Sequence, residues 1–259
     1  MRKFILNNII ILAFLNSASV FNYLFQVIVG RSVSAIDYGI FNSLFAMVSI
    51  FSAPVSILHI VFSRFIVNLS LSGMGKVKTL LVKSFKIMLV FSGVILLSGI
   101  VAIPLIKDFF HIEEATPILL LLATICFSLL FPIPFAILEG LHRFTRLGIG
   151  SGCSPLTRFL GALLFVTVLG WGVNGALLTA SVASAFTLAF GIWSLKDILK
   201  SSSESLPDGM FRDMARYSGP VLIATTMTMV LGNIDISLVR HYCTPEEAGL
   251  YATAAILGR

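Results

Sequence analysis

The sequence is short of charge: Asp, Glu, Lys and Arg make up 12% of its 259 residues, about half of the roughly 25% usual in soluble domains. With 57% hydrophobic residues there is too little polar surface to cover a globule in water, which excludes a soluble fold. Cysteine is scarce as well. Cys126, Cys153 and Cys243 lie far apart with no CxxC or Cys/His spacing, so neither a disulfide framework nor a metal site is indicated and all three read as small packing residues. Nucleotide-binding signatures are missing too. Gly73-Met74-Gly75-Lys76 has Ser70 where a phosphate loop needs glycine and Val77 where it needs a hydroxyl, and the glycines from Gly148 to Gly152 follow no strand. No cofactor is expected.

What the chain does have is long apolar runs. A bilayer core of about 30 Å takes around 20 residues of helix at 1.5 Å each. Seven segments meet that length: Phe4–Val29, Ile40–Phe62, Ile87–Ile106, Pro117–Leu138, Ser154–Leu169, Asn174–Leu195 and Gly219–Val239. An eighth starts near Ala248 but has only twelve residues to Arg259, so the chain is expected to be part of a longer protein. The first run is too long for a signal-peptide core and lacks a small-residue cleavage pattern, which makes it a retained helix.

The formal charge of +6 does not indicate nucleic acid, because the basic residues fall in gaps between apolar runs rather than on one aromatic-interleaved face. Thirteen Lys and Arg lie in alternate gaps that share one side: Arg2 and Lys3, then Arg64 to Lys86, Arg143 and Arg146, then Lys196 to Arg216. The other side has three, Arg31, Lys107 and Arg240. The imbalance predicts a cytoplasmic N-terminus in a multi-pass inner (plasma) membrane protein.

The longest gap, Lys196 to Arg216, is Ser-rich with Pro207 and Gly209, a turn-prone linker. It divides the chain into a first six-helix bundle over residues 1–195, a cytoplasmic linker over 196–216 and the start of a second bundle over 217–259. A weak repeat supports the division. At a constant offset of 210, Leu24, Ile28, Val29, Ser34, Asp37, Gly39, Ile40 and Phe41 align with Ile234, Leu238, Val239, Thr244, Glu247, Gly249, Leu250 and Tyr251. Six helices separate the copies, so they are parallel repeats about an axis along the membrane normal. The predicted fold class is therefore an all-α membrane protein, a polytopic helical bundle with the start of a second parallel repeat.

Three elements carry a family resemblance: Asp37-Tyr38-Gly39-Ile40-Phe41, Glu139-Gly140-Leu141-His142-Arg143-Phe144, and Asn233-Ile234-Asp235 followed by the stretch from Thr244 to Tyr251. Together they resemble the polysaccharide biosynthesis, or oligosaccharide flippase, family, whose superfamily also holds multidrug antiporters. The resemblance implies two bundles of 12 to 14 helices in all, of which this chain would supply the first and part of the second. It also implies a substrate, an undecaprenyl-diphosphate-linked oligosaccharide moved to the outer leaflet for O-antigen, capsule or related glycans, with polysaccharide polymerase machinery as a partner. Rival readings are a cation-coupled multidrug-type antiporter, marked by an acidic relay deep in one bundle, and a non-transporting membrane scaffold. An enzyme acting on lipid-linked sugars would be expected to show a large outer loop or a DxD motif, and the sequence has neither.

A sugar diphosphate crossing a bilayer calls for a cation inside the span. Arg158 stands 12 residues before Gly170, about 18 Å from the outer end of its helix, where its planar fork suits a diphosphate. The plainer alternative starts that helix near Pro155 and lets Arg158 snorkel to the headgroups. Glu139, His142, Arg143 and Arg146 gather at the cytoplasmic end of helix four as a substrate entry gate, unless Glu139 and Arg143, four apart, simply pair. Asp235, five residues from Arg240, is a candidate for coupling or for an outer gate against Arg31; it also fits a plain interfacial carboxylate. Lys76, Lys78, Lys83 and Lys86 serve topology or attract anionic lipid. Pro54, Pro104, Pro132, Pro134 and Pro220 interrupt backbone bonding in or at the ends of spans. Asn7, Asn8, Asn16, Asn22 and Gln26 give helix one a polar stripe, for a cavity or for interhelical hydrogen bonds.

Overall fold

The computed structural model describes residues 18–207 and 209–258, and all the regular structure among them is helical. Asn7, Asn8 and Asn16 lie outside the described residues, as does the side chain of Pro54. Helix α1 covers residues 18–32 and α2 runs from Ala35 to Ser72, with Ser34 as N-cap accepting from the Asp37 backbone N–H. At 38 residues α2 is about 57 Å long, nearly twice the hydrocarbon thickness. It is longer than one bilayer crossing needs and turns at Gly73, whose φ of 130° disfavours any residue with a side chain.

Helix α3, Met74–Val101, begins immediately after that glycine. The lysines from Lys76 to Lys86, expected in a loop, are therefore helical. Lys, Leu and Met propagate helix well in water, and a hydropathy test cannot see a helix that extends out of the membrane. A break at Ala102 separates α3 from α4, Ile103–Phe110, which has Pro104 in its first turn. The expected span Ile87–Ile106 is thus two helices. The expected Pro117–Leu138 is instead matched by one span-length stretch, Thr116–Gly140, made of α5, Thr116–Leu130, and α6, Pro132–Gly140, with Pro132 opening the second piece. Helix α7, Phe144–Gly161, continues into a π-helical segment, Ala162–Val168, and α8 is Gly172–Ser194. A short α9, Lys196–Leu199, precedes the linker, after which come α10, Met210–Leu231, α11, Ile234–Tyr242, and α12, Pro245–Gly258. Among the described residues four helical stretches are long and apolar enough to span a bilayer, and Leu222–Leu231 with Ile234–Tyr242, bent by 40°, pass the same test when taken together.

Two apolar cores fill the bundle. At the basic end Ile66, Leu80, Ile133, Ile137, Leu195 and Met210 pack together. Towards the other end Phe25, Phe41, Leu121, Ile125, Val166 and Ala176 do so. Glycine lets the helices approach, as membrane interfaces require: a Cβ on Gly140 would lie 2.8 Å from Ile66 side-chain atoms, and one on Gly161 would lie 2.7 Å from Thr179. Ile87, Leu89, Val90, Phe91, Val94 and Leu97 of α3 are exposed, an apolar face suited to lipid. The linker is tied down: Lys78 Nζ donates to the Ser201 carbonyl at 2.6 Å and Thr79 Oγ1 to the Glu204 carbonyl at 2.7 Å.

The two repeats meet at the end opposite the lysines. Ser34 Oγ accepts from the Asp37 N–H at 3.1 Å, and Thr244 Oγ1 accepts from the Glu247 N–H at 3.4 Å. The same capping chemistry therefore starts α2 and α12 at positions 210 apart. Past the caps, Gly39 and Gly249 pack against each other: a Cβ on Gly39 would stand 3.1 Å from the Gly249 nitrogen, and a Cβ on Gly249 would stand 2.7 Å from the Ala35 carbonyl carbon. Repeat-related glycines thus meet where α2 and α12 cross.

Candidate functional site

Helix α7 starts at Phe144 with Pro155 inside it, so Arg158 is 14 residues, about 21 Å, from the start of its helix. The helix start near Pro155, on which the snorkelling alternative was built, is not what the structure shows. The guanidinium carbon stands 5.0 Å from the centroid of the Phe45 ring and 5.9 Å from that of Phe25, and Nη1 donates to Asn22 Oδ1 at 3.4 Å. Helices α1, α2 and α7 thereby converge on one cation. No carboxylate pairs with it among the described residues, and its buried Nε has no hydrogen-bond partner. Ring quadrupoles and one amide offset part of the desolvation cost. The arrangement packs a positive charge between two aromatic rings and one amide. One turn on, the helix widens into the π segment, a distortion frequent at functional sites.

At the basic end the pairing of Glu139 with Arg143 does not form. Helix α6 stops at Gly140, and His142, with φ of 55°, turns the chain before α7 starts, so the two residues do not share a helix. Glu139 Oε2 instead lies 3.1 Å from His59 Nδ1 on α2, the side chains being 40% and 29% exposed. That carboxylate oxygen has no aligned donor, so the contact is an ion-pair approach rather than a hydrogen bond. Arg143 and Arg146 both reach Asp197 Oδ2 at 3.5 Å. They also donate to the Ser194 carbonyl, at 3.5 and 2.5 Å, which places cations at the C-terminus of α8 where the helix dipole favours them. The His142 ring sits 5.4 Å from that of Phe144. Of the four residues grouped by sequence, Glu139 pairs with His59, Arg143 and Arg146 share Asp197, and His142 packs on Phe144 apart from both; the partners His59 and Asp197 were missed. A lone histidine within the apolar run Ile40–Phe62 was the available signal for the first.

At the opposite end Asp235 accepts a hydrogen bond from Tyr251 Oη at 2.9 Å, while Arg31 is exposed and makes no ion pair among the described residues. Arg240, expected in a loop, is in the last turn of α11 and 2% exposed. Its Nε donates to the Phe110 carbonyl at 3.0 Å and its Nη2 to the His111 carbonyl at 3.4 Å. His241 Nδ1 lies 2.9 Å from the Phe109 carbonyl, with its ring stacked on Phe109 at 4.2 Å. Helix α4 ends in a left-handed His111, and a helix C-terminus leaves carbonyls without intrahelical partners. Two adjacent side chains of α11 satisfy three of them, joining the first bundle to the start of the second.

Solved structures share this architecture. A MOP superfamily transporter from Pyrococcus furiosus, described by the reverse polarity of its binding pocket, superposes with a TM-score of 0.65 at 16% identity over 96% of this chain. An inward-facing multidrug resistance MATE family transporter of the same superfamily gives 0.68 at 17% identity over 90%, and the lipid II flippase MurJ in an inward closed conformation gives 0.61 at 17% over 95%. The chain spans 57%, 57% and 54% of those proteins respectively. No curated protein sequence matches it significantly. The chain shares the helical fold of those solved structures, and its apolar helices are those of a multi-pass membrane protein. Residues 5–258 match the sequence profile of the polysaccharide biosynthesis protein family, and the chain belongs to that family.

Proposed function

We propose that the full-length protein flips a lipid-linked oligosaccharide across the plasma membrane by alternating access, with the lysine-rich end in the cytoplasm and a diphosphate head group passing Arg158. The observation that carries this is Arg158 itself. An arginine with no carboxylate partner among the described residues, held on two aromatic faces with a buried Nε left over among them, is costly to keep inside a bilayer. Neutralisation by an anionic substrate accounts for that cost. Membership of a polysaccharide biosynthesis family favours an undecaprenyl-diphosphate carrier bearing glycan over a cationic drug, which Arg158 would repel. In this reading Glu139, His142, Arg143 and Arg146 surround the cytoplasmic approach, with Arg143 and Arg146 reaching substrate by exchanging Asp197 for phosphate. Asp235 and Arg31 flank the outer gate.

The test is complementation. The full-length reading frame, native or with Arg158→Ala, is placed in a host lacking its envelope-glycan flippase, and surface polysaccharide and accumulated lipid-linked intermediate are measured. Native rescue with failure of an equally expressed variant is the expected result. Rescue by both would remove Arg158 from the path. Drug resistance conferred by the native form without glycan rescue would favour the multidrug antiporter.

A further inference from the structure

We propose that the end opposite the lysines carries a second, glycan-binding site, a cavity of about 580 Å³ among α2, the α4–α5 turn, the approach to α8 and Arg240 of α11; this rests on the flippase reading for its ligand. Its volume is in the ~300–1,000 Å³ range of small-molecule sites. Trp171 lines it, half-exposed and backed by the Phe165 ring at 5.4 Å and 26°, which presents an aromatic surface of the kind that takes the C–H face of a pyranose ring. Asp37, Glu113 and Glu114 contribute carboxylates to the same wall, and Asn174 and Arg240 complete it.

The polar atoms left over decide the ligand class. Among the described residues Arg240, 2% exposed, keeps Nη1 without a partner, and Asn174 keeps Oδ1 without one while its amide donates to Glu114 Oε2 at 3.5 Å. A buried donor and a buried acceptor both unspent beside one cavity are costly unless a ligand supplies both complements. Sugar hydroxyls donate and accept at once. An anion would meet three carboxylates, and no group of three His, Cys, Asp or Glu is close enough to hold a metal ion among the described residues. A neutral sugar residue fits. In the flipping cycle it would be the glycan emerging on the outer side, held while the lipid stays in the bilayer.

The experiment uses purified full-length protein in detergent, titrated with millimolar N-acetylglucosamine, glucose, galactose and rhamnose. Binding is read by saturation-transfer NMR and tryptophan fluorescence. At least one sugar should bind saturably, about three- to tenfold more weakly in Trp171→Ala and unchanged in Trp193→Phe at the other end of α8. Glu113→Gln with Glu114→Gln, on an exposed turn, should weaken binding without unfolding the protein and serves if Trp171→Ala does not fold. No binding by any of the four sugars, or binding indifferent to both sets of variants, overturns the site. A native protein that rescues polysaccharide but binds no sugar sinks this proposal alone. One that binds sugar through Trp171 but rescues nothing keeps the site and sinks the flippase reading.

Discussion

Replacing Gly249 by alanine isolates the crossing of the two repeats. Alanine in a helix interior is favoured over glycine by about 1 kcal/mol, so a crowding-free substitution should stabilise. Gly93 on α3 is such a position, with nothing within 4 Å of an added Cβ. At Gly249 the added Cβ would press on the Ala35 carbonyl, 2.7 Å from its carbon and nearer still to its oxygen. These are backbone atoms of α2 that move only if the whole helix moves. Overpacking costs about 1–3 kcal/mol, and rigid neighbours put Gly249 at the upper end, for a net loss of about 2 kcal/mol after the propensity gain. Gly39→Ala meets its neighbours at 3.1–3.4 Å and should fall near zero. Thermal melting of the full-length protein in one detergent should rank Gly93→Ala at or above the native form, Gly39→Ala close to it and Gly249→Ala clearly below. A Gly249→Ala protein that melts at or above the native temperature would refute the claim that the repeats are in backbone contact there.

Three further expectations follow from individual side chains. On the proposed placement of Arg158 within a span, Arg158→Met removes a charge that has no carboxylate partner among the described residues and that would cost about 2.5–3.5 kcal/mol at a span centre, so it should raise the melting temperature while abolishing glycan rescue; a lower melting temperature would mean the charge is compensated. Asp197→Ala releases two half-exposed arginine contacts of 3.5 Å, worth at most about 1 kcal/mol each, and should lower stability slightly and less so in high salt; a salt-independent drop would count against ion pairing. Hydrogen bonds from the Thr244 backbone and hydroxyl hold the Glu247 carboxyl below the ordinary glutamate range. A depressed carboxyl stabilises the fold above its unfolded pKa, about 4.3, and loses that contribution as pH falls through the folded value. The stability difference between native and Glu247→Gln should therefore be level at neutral pH and shrink only below about pH 4.3; a difference that changes near neutrality would contradict the assignment.

Legibility in the sequence followed the physics that each feature obeys. Asn174–Leu195 is matched by α8 to within two residues, because a hydrocarbon slab sets both the length and the composition of a buried span. Where helices leave that slab the rule has no purchase. The basic ends of α2 and α3, joined through Gly73 alone, were unreadable as helix because water tolerates the lysines that hydropathy scores as loop. Local spacing misled at Glu139 and Arg143, since an i, i+4 pair presumes a continuous helix and His142 in the left-handed region ends it. Long-range partners stayed out of reach: nothing local to Arg158 points to Asn22, 136 positions away.

The repeat shows how a faint pattern can hold more geometry than its identities suggest. Ser34 and Asp37 against Thr244 and Glu247 are conservative replacements rather than identities, yet they build equivalent caps, because any short hydroxyl followed three residues later by a carboxylate can start a helix. Gly39 and Gly249 are an identity because backbone contact across the crossing of α2 and α12 tolerates no Cβ without movement. Arg240 has no such counterpart, since position 30 in the first copy is glycine. The contact of α11 with the end of α4 is therefore a one-sided addition to an otherwise paired crossing. The proposed alternating-access cycle, if it parts the repeats at this end, would have to break the bonds from Arg240 to the Phe110 and His111 carbonyls along with the glycine contact, which makes Arg240→Gln a variant expected to favour opening of the end opposite the lysines.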